Sequence, residues 1–212
     1  MDCCANYNRV FDQKQADNDL KRYRKKGLKK SSQVIVDYLS DKIGGMTVLE
    51  AGSGIGYLGM ELVKNGARSA LEIDISYAYL ERAKLLRHEL SLDDSVEIRT
   101  MDFVQHFGNL SDHDIVVSDK VICCLPNFQE FIEAGTARAK HYYALVYPRE
   151  LVIWKMFVAV LSWVTPHSDK YKGFNIFIHP HQEINNLITK KGFEKVLDNR
   201  KGLWQISIYE KK

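Results

Sequence analysis

The segment Val48 to Leu62, VLEAGSGIGYLGMEL, sets Gly52, Gly54 and Gly56 between a run of strand formers and a run of helical period. Glycines at such a turn accept positive φ and let the backbone approach a ligand closely. The helix N-terminus behind them offers unbonded N–H groups to an anion. The G-x-G-x-x-G spacing of a dinucleotide site is not kept, because the chain reads G-S-G-I-G with Leu58-Gly59 after it. Glu50, two residues before the first glycine, would repel a pyrophosphate and suits a cationic or amine-bearing ligand.

Two more acids stand at comparable places. Asp74 closes the next strand-like run, where a carboxylate can accept hydrogen bonds from ribose hydroxyls. Asp102 lies in Met101-Asp102-Phe103 after the third run, an acid beside an aromatic ring that suits an adenine. The plain alternative is a chance set of acids at helix starts.

The elements that must carry these residues follow from hydrophobic period. TVLEA (47–51), SALEI (69–73), VEIRT (96–100), DIVVS (114–118) and YYALVY (142–147) read as strands. Between them lie helical stretches: Leu58, Leu62 and Val63 up to Asn65-Gly66, then Leu80, Ala83, Leu86 and Leu90 behind a capping Ser76. Alternation of this kind predicts an α/β fold, a doubly wound and mostly parallel sheet covered by helices on both faces. FEKVLD (193–198) and LWQISIY (203–209) are separated only by Asn199-Arg200-Lys201-Gly202, too short for a parallel crossover, so they form a hairpin. The sheet is thus expected to end in one antiparallel edge strand. Residues 1–44 are expected to form an N-terminal helical arm or lid, with Ser31 and Ser32 capping a helix through Val34, Ile35, Tyr38 and Leu39 that Gly44-Gly45 ends. Residues 45–212 then form the ligand-binding domain.

With these motifs in order, the sequence resembles the class I S-adenosylmethionine-dependent methyltransferases. E-A-G-S-G-I-G matches that family's first motif, L-E-I-D-I-S its second and M-D-F its adenine-side motif, within a likeness over about residues 45–210. The resemblance implies a Rossmann-like, seven-stranded sheet with an antiparallel last strand, and S-adenosyl-L-methionine as cofactor. It implies that Glu50, Gly52, Ser53, Gly54 and Gly56 line the methionine part, that Asp74 with Ile75 holds the ribose, and that Asp102 with Phe103 holds the adenine. FDQKQADNDLKRYRKKG, SDKVICCLPN and LVYPRE look like a small-molecule branch similar to magnesium-protoporphyrin O-methyltransferase. Ser53 stands where many relatives carry Cys.

Acceptor chemistry is less sharply marked. A carboxylate acceptor is already ionised at neutral pH and needs no base, whereas an alcohol or phenol does. Candidates beyond the strand ends are Asp119 and Lys120 after the fourth strand, each with a bland reading as a cap or a solvated lysine. Asp119 is counted among cofactor contacts as well. Arg149 could clamp an acid or simply start a helix, and His179 or His181 could act as a base or belong to a turn. Tyr23 and Lys26 could close over the cofactor, or form a solvated basic face. Cys123 and Cys124 could line the pocket or be plain buried thiols, and no metal site is expected from them with Cys3 and Cys4.

Composition bounds the rest. The chain has 212 residues, 45% hydrophobic and 27% charged, which fits one large globular domain with a small appendage. The formal charge of +3 hides a split: LKRYRKKGLKK (20–30) carries seven basic residues and no acid, leaving the remainder net acidic. Nucleic acid is therefore not expected as partner, although an RNA or protein methyltransferase is the alternative that the basic segment suggests. A non-catalytic cofactor-binding subunit is another. Four cysteines in two adjacent pairs and a polar N-terminus suggest a reducing cytoplasm and no secretory leader. The apolar run Leu151 to Val164, with Trp154, Phe157 and Trp163, has 14 residues interrupted by Lys155. That is too short to span a bilayer and reads as core, as substrate lid or as a peripheral membrane contact.

Overall fold

A computed structural model describes residues 9–151 and 175–212. The central sheet has seven strands: β1 (Thr47–Ala51), β2 (Ser69–Asp74), β3 (Val96–Thr100), β4 (His113–Asp119), β5 (Ala139–Pro148), β6 (Phe193–Lys201) and β7 (Trp204–Lys211). Their order is β3-β2-β1-β4-β5-β7-β6, and β1 to β5 are mutually parallel. The predicted α/β sheet is therefore present, with one difference. The antiparallel strand β7 is not at the edge but lies between β5 and β6, and β6 is the outer strand. The hairpin is also tighter than the sequence suggests. β6 continues through Lys201, which pairs with Trp204 and leaves Gly202-Leu203 as the turn, with Gly202 at φ +60°.

Seven helices flank the sheet among the described residues: α1 (Gln13–Lys26), α2 (Lys30–Leu39), α3 (Tyr57–Lys64), α4 (Tyr77–Glu89), α5 (Phe103–His106), α6 (Phe128–Arg138) and α7 (His181–Lys190). Strand residues alternate between the two faces, as a period of two demands. Val48, Ala70, Val117 and Ala144 point to one core with α1 to α4, while Leu49, Leu71, Val116 and Leu145 point to the other with α6 and α7. This is the doubly wound arrangement, and it makes the central strands apolar on both sides. Ser76 caps α4 as expected, its hydroxyl accepting from the Tyr79 N–H.

The arm is packed rather than loose. Ala16, Leu20 and Tyr23 of α1 and Ile35, Val36 and Leu39 of α2 are buried in the same core as the sheet. Asp17 pairs with Arg82 and Asp19 accepts from the Tyr79 hydroxyl at 2.7 Å, so α1 lies along α4. Ser31 and Ser32 do not cap α2. They sit inside its first turn, buried, and Lys29 is the capping position without a side-chain hydrogen bond. Most of the apolar run 151–164 lies outside the described residues, as do Cys3 and Cys4. Among the described residues, no helix is long and apolar enough to cross a membrane.

Candidate functional site

The strand order reverses between β1 and β4, the place where doubly wound sheets open a crevice beyond the carboxyl ends of their strands. A cavity of about 250 Å³ lies there. It draws residues from the ends of four strands: Glu50 from β1, Asp74 from β2, Met101 and Asp102 after β3, and Asp119 of β4.

The glycine loop forms its floor. The Gly52 and Ser53 N–H groups donate to the Ile73 carbonyl at 2.8 and 2.9 Å, tying the loop to the end of β2. Gly52 has φ +71°, and a Cβ there would collide with the side chain of Val121. Gly54, at φ +58°, donates its N–H to Asp74 Oδ2 at 2.8 Å, while Asp74 Oδ1 accepts from Ser76 N–H at 2.8 Å. Burial pushes the Asp74 carboxyl up, and these N–H groups hold it back. Each of its oxygens keeps a lone pair for a further donor. Asp102 caps α5, accepting from Gln105 N–H at 3.1 Å, and Phe103 beside it packs edge-on against Phe131 with ring centres 5.3 Å apart.

Glu50 is 1% exposed at the cavity floor, and Oε2 accepts from the Gly59 N–H at 2.8 Å. Its register partner on β2 is Glu72, which is fully buried. Desolvation drives the Glu50 carboxyl up to about 8, although the hydrogen bonds from Glu72 and Gly59 work against it. The Glu72 carboxyl is likewise pushed well up, by burial and by the neighbouring Glu50.

Asp119 is the other buried acid. It accepts from the Ser32 hydroxyl at 2.6 Å, from the Tyr57 hydroxyl at 2.5 Å and from the Lys120 ammonium. Burial opposes its ionisation, but Lys120, Ser32 and Tyr57 outweigh that and hold the carboxyl below its ordinary range. Lys120 has φ +67°, rare for a residue with a side chain and of a kind concentrated at functional sites. Its ammonium lies 5.1 Å from the centre of the Trp204 ring, and burial lowers its pKa against the pull of Asp119. Lys29 and Lys120 are the cationic side chains lining the cavity among the described residues, against Asp19, Glu50, Asp74, Asp102 and Asp119.

The cavity thus gathers Glu50, Gly52, Ser53, Gly54, Asp74, Ile75, Asp102, Phe103, Asp119 and Lys120 from the candidates read in the sequence. Cys124 lines it as well, while Cys123 is buried behind with its sulfur 3.3 Å from the Lys120 carbonyl. Gly56 stands just outside, where its φ of +73° starts α3. Tyr23 lies one layer back, its hydroxyl donating to Glu61 and its ring stacked on Tyr57.

Three candidates serve elsewhere. His179 Nε2 lies 2.9 and 3.0 Å from the carbonyls of Ile122 and Leu125, so it donates to both. With its ring on Phe128, and burial lowering its pKa, it fastens the loop after β4 as a neutral imidazole. Arg149 donates to the Gly202 carbonyl at 3.0 Å and holds the hairpin turn. His181 meets the Tyr147 hydroxyl and stands 3.5 Å from Lys195 Nζ, outside the cavity. Conversely, Phe11, Lys29, Tyr57 and Tyr79 line the cavity, and none of them carries a local signal of that role in the sequence. For Glu72, the signal in the sequence is an apolar run interrupted by an acid, as in SALEI.

No family model matches this sequence, and no curated protein matches it. Solved structures do share its fold. Magnesium protoporphyrin IX methyltransferase from Synechocystis PCC 6803 with bound SAH superposes with a TM-score of 0.71 at 17% identity, over 86% of this chain and 83% of that one. An O-methyltransferase family protein from Burkholderia thailandensis gives 0.66 at 16% identity, over 85% of this chain and 56% of that one. The ribosomal protein L11 methylase from Lactobacillus delbrueckii subsp. bulgaricus gives 0.59 at 15%, over 86% and 78%. The chain therefore has the class I methyltransferase fold.

Proposed function

We propose that the protein is an S-adenosylmethionine-dependent methyltransferase acting on an oxygen of a small, anionic and partly apolar acceptor. The observation that carries this reading is the set of acids at four successive strand ends around one glycine loop, at the switch point of the sheet. Such a floor disfavours a pyrophosphate and fits a ligand carrying a sulfonium and an amine. Fit is further supported by Gly52, where a side chain has no room, and by the Ser53 hydroxyl, which is buried without a hydrogen-bond partner.

When bound, this cofactor supplies an activated methyl group for in-line displacement by a lone pair of the acceptor. The chain's own work is alignment and exclusion of water. Asp74 holds ribose hydroxyls while Gly54 and Ser76 fix its carboxylate. Asp102 and Phe103 hold the adenine side, and Phe11 and Tyr79 cover the mouth from the arm and α4. Lys29 and Lys120 supply positive charge for the acceptor, and Val121, Leu125 and Phe131 give it an apolar wall. A carboxylate acceptor meets this site without needing a base.

The arm (residues 1–44) thus acts as the cover of a catalytic unit formed by 45–212, in a reducing, cytoplasmic setting. The test is incubation with isotope-labelled cofactor and a metabolite extract, followed by mass spectrometry. A labelled small acid or its ester supports the reading. Label appearing only in RNA or protein would replace the acceptor class, and cofactor binding with no labelled product would indicate a non-catalytic subunit.

A further inference from the structure

Glu72 has no part in the chemistry above, yet it occupies the middle of a fully buried strand. Glu50 and Glu72 face the same side of the sheet in direct register, β1 against β2, and are 1% and 0% exposed. Gly59 of α3 closes over them. A Cβ there would strike Glu72 Oε1 and come within 3.3 Å of Glu50 Oε2, so only glycine lets the helix sit on the pair. As two carboxylates they have no proton between them, and neither oxygen of Glu72 then finds a donor. Two buried negative charges in contact, with one N–H from Gly59 as their backbone donor, are not sustainable. With a proton on Glu72, its hydroxyl donates to Glu50, and the two carboxyls lie within reach for that bond. The other ionisable groups bearing on Glu50 are Asp74 of β2, Asp119 of β4 and Tyr57 of α3, none of them cationic. The Ser53 hydroxyl in the glycine loop favours the charged form of Glu72 by proximity without a formed hydrogen bond, but burial and Glu50 outweigh it.

Only Glu50 of the two reaches the cavity. We propose that Glu50 and Glu72 form a proton-storing pair beneath the cavity, which releases one proton when a cationic ligand settles above Glu50 and regains it when a neutral product remains. The O–H bond of Glu50 breaks, its proton passes to solvent, and the pair goes from two protons to one shared proton and a single negative charge. The cationic cofactor then meets an anion, whereas the neutral thioether left after methyl transfer faces a neutral pair and departs more readily. This inference rests on the cofactor reading above, and its test separates the two.

Isothermal titration with S-adenosylmethionine and, separately, with S-adenosylhomocysteine is run near pH 7.5 in phosphate and in Tris. The difference in heat between buffers counts the protons released. S-adenosylmethionine is expected to release at least about 0.3 proton more than S-adenosylhomocysteine, and its affinity advantage is expected to grow about tenfold between about pH 6.5 and 8. In Glu50→Gln the carboxyl that gives up the proton is gone, so the excess release and the pH dependence both disappear, at some cost in affinity. Should that variant not fold, the two-ligand comparison on the native protein decides alone. Binding of both ligands with equal proton release overturns the pair and leaves the cofactor reading standing. No binding of either ligand overturns both.

Discussion

Ser32, in the first turn of α2, and Asp119, the last residue of β4, lie 2.6 Å apart, hydroxyl to carboxylate, although 87 positions separate them. This contact joins the arm to the strand end that lines the cavity. Asp119 collects its other donors from Tyr57 on α3 and from Lys120 beside it, so three helix and loop elements converge on one buried charge. Ser32→Ala is expected to cost about 1 kcal/mol of stability. Asp119→Asn should cost more, about 3 kcal/mol, because the Lys120 ammonium is left without its counter-ion. Urea unfolding of the two variants measures both, and equal costs would contradict the arrangement.

The buried carboxyl pair also sets a pH dependence of folding. Glu50 and Glu72 both titrate higher when folded than when unfolded, so the native state binds more protons at neutral pH. Their contribution is present below the ordinary carboxylate range and is lost as pH rises towards about 8, the Glu50 value. The ligand-free protein is therefore expected to melt at a lower temperature near pH 8 than near pH 6. Glu72→Gln should flatten that slope, which thermal unfolding in matched buffers checks.

Gly52 combines positive φ with contact against Val121. Gly52→Ala is expected to weaken S-adenosylhomocysteine binding by at least about tenfold, because the added Cβ meets Val121 and must displace the glycine loop or the cavity wall. Gly45→Ala serves as the control: it shares the positive φ but has open space around it. It should lower the melting temperature without changing ligand affinity.

The seven basic residues of 20–30 separate into two groups in space. Lys29 lines the cavity, whereas Lys21, Lys25 and Lys26 are exposed and Arg22 bonds the Gly27 carbonyl. Lys29→Gln should raise the KM of an anionic acceptor about fivefold while leaving cofactor affinity unchanged. Neutralising Lys21, Arg22, Lys25 and Lys26 together should change it less at moderate salt, where exposed charges are screened. Steady-state kinetics on the acceptor found in the extract experiment distinguishes the two.

His179 offers a structural contrast to these site residues. Its Nε2–H serves the Ile122 and Leu125 carbonyls. His179→Ala is expected to lower stability by about 1–3 kcal/mol by leaving buried acceptors unpaired, and to leave the pH profile of turnover in its native shape. A lost acidic limb in that profile would restore the histidine to catalysis as a base.

Local period and glycine placement make the sheet, its helices and the acid constellation legible in the sequence, because each depends on short stretches of chain. TVLEA, SALEI and DIVVS are strands because they are short and largely apolar, and Gly52, Gly54 and Gly56 mark the turn through their backbone freedom. What stays hidden depends on distant neighbours. Serine suits a capping position, but the Ser32 hydroxyl goes to a residue far along the chain. The place of β7 between β5 and β6 is set by pairing on both edges, which no hairpin signal contains. His179 and Arg149 have the right chemistry for a site and the wrong surroundings, being fastened to main-chain carbonyls.

The proposed function requires that the cavity at the β1/β4 switch point bind S-adenosylmethionine through Asp74. Calorimetric titration of the native protein and of Asp74→Ala with that cofactor decides it. Saturable binding by the native protein is expected, with at least about thirtyfold weaker binding by the variant, as loss of charge-assisted hydrogen bonds to ribose requires, and with the fold retained by circular dichroism. No binding by the native protein, or undiminished binding by Asp74→Ala, would contradict it.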